Sequence, residues 1–186
     1  QAGIAVLTGA SSTPALSNAM LRDLTAGWQS IDRITVSILP GNQVPRGRSV
    51  IDAILSWSGE PVRVFNDGNW QMQTGWSENR RVALGKLGWR NAVLAETPDL
   101  DVLVEDFKPR LSARFHAGME LGLIHHGLRA LAALRRLRLL PKLSLFGKPL
   151  HFIAKVLKPF GSDTGGMVVE AVGVNTQGIA VQASAR

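Results

Sequence analysis

The chain begins with an apolar segment, followed by a turn of small residues and then the start of a helix. This order limits the folds that the chain can adopt. Residues 4–7 predict a short strand and residues 14–24 a helix, for which Thr13 is the expected N-cap and Pro14 the first helical residue. Because an α/β domain needs several strand–helix units and few residues precede this one, residues 1–13 are expected to form the junction at the end of a preceding domain.

The order of apolar patterns along the rest of the chain predicts the fold class. Strands are expected at residues 31–39, 62–65, 70–73, 81–87, 90–95, 111–117, 166–174 and 178–184. Helices are expected at residues 49–56, 99–107, 121–140 and 143–157, the last interrupted by Gly147-Lys148-Pro149. The turn sequence Asn66-Asp67-Gly68-Asn69 indicates a hairpin. This order predicts an α+β fold with a mixed, largely antiparallel sheet and helices packed on one face.

Composition excludes several kinds of chemistry and suggests a compartment. The 186 residues, which suit a single domain, contain no Cys and no Tyr, so disulfides, thiolate catalysis, Cys-based zinc sites and phenolic acid–base chemistry are ruled out. The four histidines lack the spacing of zinc ligands, and no metal is expected. Because we see neither a signal peptide nor a long apolar run, the expected location is the cytoplasm, with the periphery of a membrane as the alternative.

Four short motifs, in order along the chain, carry a resemblance to a known family. They are Gly9-Ala10-Ser11-Ser12-Thr13-Pro14-Ala15-Leu16-Ser17, Pro40-Gly41-Asn42 with Pro45-Arg46-Gly47, Thr97-Pro98-Asp99-Leu100, and Phe160-Gly161-Ser162-Asp163 with Gly165-Gly166. In order and spacing the chain resembles saccharopine dehydrogenase-like oxidoreductases of the bacterial type. The resemblance covers most of the chain.

The resemblance implies the second domain of such an enzyme rather than the whole. The nucleotide-binding half of these proteins starts with a strand and a G-x-G-x-x-G turn, and that pattern is absent here. The chain is therefore expected to be a substrate-binding and dimerisation domain that is inactive alone and forms a homodimer. NAD(P) would be held by a nucleotide-binding domain outside this chain, with Ser11, Ser12, Thr13 and Pro14 lining the crevice where cofactor and substrate meet. The same four residues could equally serve only to cap the helix and satisfy the turn.

Three residues are candidates for contact with a small-molecule substrate. Arg90 could bind a carboxylate, Trp89 could contribute to an apolar pocket, and His116 could act as an acid or base at the end of a predicted strand. Each also has a structural alternative, since Arg90 could lie on a solvated strand face and tryptophans more often pack in a core. The sequence identifies no catalytic residue.

A basic segment provides the main alternative function. Residues 121–160 contain eight Lys and Arg and no Asp or Glu, while the whole chain has a net charge of +7. Within the expected basic helical subdomain, residues 119–160, the candidate contacts to an anionic surface are Arg129, Arg135, Arg136 and Arg138. These side chains could bind an anionic membrane or a partner, or they could lie along apolar surface of a helical subdomain. Nucleic-acid binding is not expected, because base-stacking aromatics and a recognised motif are missing.

Overall fold

The computed structural model describes Gly3 and residues 10–45, 47–140 and 142–186. Within those residues five helices form: α1 (Ser17–Leu24), α2 (Arg48–Trp57), α3 (Asp99–Phe107), α4 (Gly122–Arg136) and α5 (Gly147–Val156). Eight strands form one sheet: β1 (Trp28–Leu39), β2 (Pro61–Asn66), β3 (Asn69–Thr74), β4 (Arg80–Ala83), β5 (Trp89–Leu94), β6 (Ser112–Met119), β7 (Gly166–Asn175) and β8 (Ala180–Ala185).

The sheet is mixed and mostly antiparallel, as the sequence predicts. Its main order is β3-β2-β6-β1-β7-β8, and β1 and β6 are the parallel pair at its centre. The β2–β3 hairpin joins the start of β6, where Phe65 pairs with Ala113. The β4–β5 hairpin joins the end of the same strand, where Leu94 pairs with His116. The central strand β6 therefore contacts three other strands directly.

All five helices pack on one face of this sheet, which confirms the predicted layering. Leu21 of α1 and Leu103 of α3 are fully buried against Val36 and Phe115. A second cluster joins α2, α4 and α5 to the end of β6 at Met119. Because residues alternate between faces along a strand, Phe115 and Met119 point to the same side, and so do the two helical clusters.

The other face of the sheet carries polar residues and two small apolar clusters, one of which joins Val62 and Val64 of β2 to Leu94 of β5. Alternation along β6 places Arg114 and His116 on this face, and alternation along β1 places Ser37 there. The β4–β5 hairpin packs Val82 onto Leu39 at one end, in a cluster that also contains Leu84, Ala92 and Val168. Polar side chains thus lie on the face opposite the helical layer, and Ser37 and His116 among them are buried.

Four local expectations are wrong, each for a backbone reason. The strand expected at residues 81–87 ends at Ala83, and a short 3₁₀ turn (Gly85–Leu87) starts at Gly85, whose φ of 60° ends an extended strand. Helix α4 ends at Arg136, and the φ of 58° at Arg138 turns the chain away before Pro141.

Pro149 lies in the first turn of α5 instead of interrupting a helix, because first-turn N–H groups need no helical acceptor. Thr13 is extended and caps no helix, whereas α1 begins at Ser17 after a π-type turn (Ser12–Leu16). The strand expected at residues 4–7 lies outside the described residues.

Candidate functional site

A cleft of about 340 Å³ lies between the end of α2, the β2–β3 hairpin and the start of α3. Trp57 and Trp70 supply its aromatic wall, and Arg63 and Glu96 place opposite charges at its edge. The Arg63 guanidinium lies 4.3 Å from the Trp70 ring centroid and 2.6 Å from the Asp101 carboxylate. Aromatic walls with a few charged groups are typical of small-molecule sites, so this cleft is the leading candidate for a substrate site.

The segment expected to meet a cofactor lies against the same helix that borders the cleft. The turn before α1 packs against α3. Ser17 Oγ lies 3.0 Å from the Pro14 carbonyl oxygen and 3.1 Å from the Asp99 carboxylate. Burial raises the pKa of Asp99, and the hydrogen bond from Ser17 offsets part of that rise. The chain segment at Pro14 is therefore fixed to the first residue of α3, and Pro98 beside it lines the cleft.

The four residues of that segment divide into exposed and half-buried pairs. Ser11 and Ser12 are exposed, while Thr13 and Pro14 are half-buried. Within the described residues, the hydroxyls of Ser11 and Ser12 form no hydrogen bond. Both hydroxyls are therefore unengaged within the described fold, and these four residues alone could not enclose a dinucleotide. The prediction that they contact a cofactor stays a prediction.

His116 lies on the opposite face of the sheet, away from this cleft. It is 3% exposed, and its Nε2 atom lies 3.5 Å from Glu78 Oε2. Because Phe115 packs in the helical layer, its neighbour His116 points to the polar face. The structure therefore does not bring His116 together with Ser11 to Pro14.

Glu78 connects His116 to a charged network on the polar face. It forms an ion pair with Arg114, whose Nη2 donates a hydrogen bond of 2.8 Å to Asn66 Oδ1. The hydrogen bond with His116, assisted by the bond and charge of Arg114, lowers the pKa of Glu78 to about 2 despite its partial burial. Glu78 is thus a carboxylate at neutral pH. Sequence analysis did not single it out, and no motif surrounds it.

Two buried polar atoms beside this network lack a hydrogen-bond partner. They are Ser37 Oγ and His116 Nδ1, and the two residues are paired across the parallel strands β1 and β6. A Ser, a His and a Glu in this order resemble a nucleophile, base and carboxylate set. However, Ser37 is fully buried and makes no hydrogen bond to His116, so the pair is not arranged for nucleophilic attack.

Arg90 is bound by the protein itself. Its side chain is 5% exposed, and its Nη2 atom lies 2.8 Å from Glu120 Oε1. Its guanidinium also donates to Leu39 O, Ser162 Oγ and Thr164 O. Along β5, Arg90 lies four residues from Leu94, the partner of His116, which corresponds to about 13 Å. The prediction that Arg90 binds substrate stays a prediction, but in this conformation its donors are already engaged.

Trp89 has a different environment from its neighbour. It is 62% exposed, and the Arg81 guanidinium lies 5.3 Å from its ring centroid. Trp76, in contrast, is 4% exposed and stacks on Trp57 with ring centroids 5.2 Å apart. The tryptophans therefore include both core residues and surface residues, and Trp89 belongs to the surface.

The four arginines of the basic segment also differ in role. Arg135 donates to the carbonyl oxygens of Leu55 and Ser58 and lies 2.7 Å from a Glu60 carboxylate oxygen, so it stabilises the end of α2. Arg129, Arg136 and Arg138 are exposed. These three are available to an anionic surface, whereas Arg135 is engaged within the fold.

The basic segment also exposes large apolar side chains. Those more than 60% exposed are Leu123, Leu137, Leu139, Leu145, Phe152 and Phe160. Two of them, Leu137 and Leu139, alternate with Arg136 and Arg138 at the end of α4. An apolar surface bordered by arginines and lacking acidic residues is typical of an interaction site.

Comparison with known proteins adds no family to this description. No protein-family model matches the chain, and no curated protein matches it. Across the part of the chain that is described, no three His, Asp or Glu side chains converge as metal ligands would. In the same part, every helix is too short or too polar to cross a membrane.

Proposed function

We propose that this chain is the substrate-binding and dimerisation domain of a saccharopine dehydrogenase-like, NAD(P)-dependent oxidoreductase of the cytoplasm. In this proposal the cleft beside α3 receives a small-molecule substrate, and the exposed hydroxyls of Ser11 and Ser12 contact the cofactor. A nicotinamide cofactor, when bound, supplies the hydride chemistry, and the residues of this chain position the substrate and exclude water.

The observation that carries the proposal is that the four motifs of the resemblance meet in pairs in the fold. The first meets the Thr97-Pro98 motif through the contact between Ser17 and Asp99. The Pro-Gly-Asn motif meets the late glycine-rich motif, because Asn42 Nδ2 donates to the Phe160 carbonyl oxygen at 2.8 Å. Residues widely separated in sequence thus form two contact sites, which supports treating the motifs as one set.

Cofactor titration tests the proposal. The chain alone should bind NADPH no better than millimolar, because it lacks the glycine-rich turn that holds a dinucleotide. The full gene product should bind NADPH, and Ser12→Glu in it should weaken binding at least tenfold by placing a negative charge near the phosphates. Ser49→Glu, an exposed serine at the start of α2, is the matched control and should leave affinity unchanged. Micromolar NADPH binding by the chain alone contradicts the domain assignment.

A second function is favoured by the exposed apolar residues of the basic segment. In this alternative the chain is a non-catalytic module that binds an anionic membrane surface through residues 121–160, with Leu137 and Leu139 inserted and Arg136 and Arg138 on the phosphates. Basic residues near an anionic surface contribute about 1 kcal/mol each.

Vesicle co-sedimentation tests this second function. The chain should sediment with phosphatidylglycerol-containing vesicles and stay in solution with phosphatidylcholine alone. Arg136→Glu combined with Arg138→Glu should abolish sedimentation, while Arg81→Glu combined with Lys86→Glu makes the same charge change on exposed residues elsewhere and should not. Arg135 is unsuitable as a test site because its substitution would disturb the end of α2. Equal sedimentation with both vesicle types argues against the alternative.

A further inference from the structure

A cavity of about 250 Å³ lies between helix α5 and the segment that follows β1. The residues that line it are Asn42, Val44 and Pro45 from that segment, and His151, Ala154, Lys155 and Lys158 from α5 and the turn after it. Among these described residues none is acidic, and none also lines the cleft beside α3. The volume suits a ligand smaller than a drug-sized molecule.

Three side chains that can carry positive charge line this cavity from one side of α5. His151, Lys155 and Lys158 have the spacing that places side chains on one face of a helix. Both lysines are exposed, and in the described part of the chain neither forms a hydrogen bond or an ion pair. His151 Nδ1 is buried without a hydrogen-bond partner, so Nε2 is the ring nitrogen that a ligand in the cavity can meet.

The end of α5 does not need these lysines to satisfy its carbonyl groups. Lysines near a helix C-terminus often bind the last carbonyl oxygens. Here Asn42 Nδ2 donates to Leu157 O at 2.7 Å and to Phe160 O at 2.8 Å, and the Phe160 amide also donates to Leu157 O. These bonds fix the segment after β1 against the end of α5 and leave both lysine ammonium groups available to a ligand.

One acidic side chain contacts the wall of the cavity, and its charge is compensated within the protein. Glu120 accepts a hydrogen bond from the Asn42 backbone amide and lies 2.8 Å from the Arg90 guanidinium. Residues 121–160 contain no Asp or Glu, so the helical side of the cavity is positive. The ligand of complementary charge is an anion.

The residue types favour a phosphate over a carboxylate. Lysine binds phosphate as a point charge, whereas a planar carboxylate is matched by the two-donor fork of arginine, and the described lining contains no arginine. A phosphate monoester carries about two negative charges at neutral pH, which matches the two lysines. Val44, Pro45 and Ala154 provide apolar contacts for the organic part of the ligand.

We propose that this cavity binds the phosphate group of a small soluble phosphate monoester, held by Lys155 and Lys158 with His151 Nε2 as a third contact. The apolar side chains of Val44 and Pro45 contact the organic part. The proposal is independent of both functions proposed above, because it requires neither a dinucleotide nor a bilayer.

Isothermal titration calorimetry of the whole chain with propyl phosphate tests the site, at constant ionic strength so that charge screening does not change. Saturable binding is expected, and inorganic phosphate should compete with it. Lys155→Met with Lys158→Met should weaken binding at least tenfold. Arg136→Met with Arg138→Met removes as many charges from exposed positions of the same basic segment and should leave the affinity unchanged.

A second pair of variants tests the position of the site. Val44→Glu adds a negative charge to the cavity wall and should weaken binding at least tenfold, whereas Val50→Glu adds the same charge on α2 and should not. All of these variants should keep the circular dichroism spectrum of the original chain, because every substituted side chain is exposed. Butanoate, a carboxylate of similar length, should bind at least tenfold more weakly than propyl phosphate.

Four results would overturn the proposal. They are the absence of saturable binding, binding that the Lys155 and Lys158 substitutions leave intact, an equal loss in the Arg136 and Arg138 variant, and butanoate binding as tight as that of propyl phosphate. Sedimentation with phosphatidic acid vesicles that requires Lys155 and Lys158, without binding of propyl phosphate, would identify a membrane headgroup as the ligand and also overturn it.

Discussion

Substitution of Arg90 by Met should be among the most destabilising single changes in this chain. Met keeps most of the side-chain volume but removes the guanidinium from a site where Arg90 is 5% exposed and Glu120 17% exposed. Removing one partner of a buried pair typically costs about 3–5 kcal/mol, because the other charge stays buried.

The remaining contacts of Glu120 place the expected cost at the lower end of that range. Burial raises the pKa of Glu120, but hydrogen bonds from the Ser162 and Asn42 backbone and the Ser162 hydroxyl, together with the charge of Arg90, hold the pKa below its ordinary value. The carboxylate therefore keeps three donors when Arg90 is lost, since Ser162 Oγ also donates to it. We expect a loss of about 3 kcal/mol, or about 6–12 °C in the thermal midpoint.

Urea and thermal unfolding, followed by circular dichroism, measure this loss. Arg48→Met is the matched control, because Arg48 pairs with Asp52 across one turn of α2 and is 61% exposed. That change should cost no more than about 0.5 kcal/mol. If Arg90→Met costs as little as Arg48→Met, the reasoning about the buried network is refuted.

Three further predictions concern packing and pH. Gly118→Ala should destabilise by about 1–3 kcal/mol in urea unfolding, because the new Cβ would lie 2.4 Å from the Asn91 carbonyl oxygen, and a change below 0.5 kcal/mol would contradict the close approach. Burial lowers the pKa of His125 from 6.5 to about 4, so on acidification the unfolded chain takes up this proton before the folded chain does. The free energy of unfolding should therefore decrease as the pH falls from 6.5 to about 4. His125→Gln should make that decrease smaller. The pKa of Glu78 is lowered from 4.5 to about 2, so its contribution is complete above pH 4.5 and is lost as pH falls towards 2. The Glu78→Gln variant should be less stable than the original chain at neutral pH, and its free energy of unfolding should decrease less below pH 4.5. A pH profile of stability that the substitution leaves unchanged would show that the network is not formed.

Local signals in the sequence account for most of the fold. The hairpin around Gly68 was predictable because its turn residues favour positive φ, and Asp67 and Gly68 both adopt it. Helix α3 was predictable from its proline start and early acidic residues, and its bounds match the expected ones. Where two signals conflicted, as at Pro149, the position within the helix decided the outcome rather than the residue type.

The site depended on contacts that a sequence does not reveal. Arg135 belongs to a basic run, yet its acceptors are carbonyl oxygens at Leu55 and Ser58, far earlier in the chain. Glu78 lies between β3 and β4 with no surrounding motif, and its low pKa arises from His116 and Arg114 on β6. The cleft beside α3 forms only when α2, the β2–β3 hairpin and α3 pack together. Whether a charged side chain is bound within the fold or is available to a ligand therefore depends on its contacts with distant parts of the chain rather than on its residue type.

The coding sequence upstream of Gln1 tests the central claim most directly. A domain of the expected kind should lie there, with a strand and a G-x-G-x-x-G turn within about 130 residues of Gln1 and an acidic residue about 20 positions after the turn. Finding that pattern would support the assignment of this chain to a dinucleotide-dependent oxidoreductase and make Ser11 and Ser12 the first residues to substitute. An upstream sequence without any dinucleotide-binding pattern would contradict the assignment and leave the basic segment as the main functional surface.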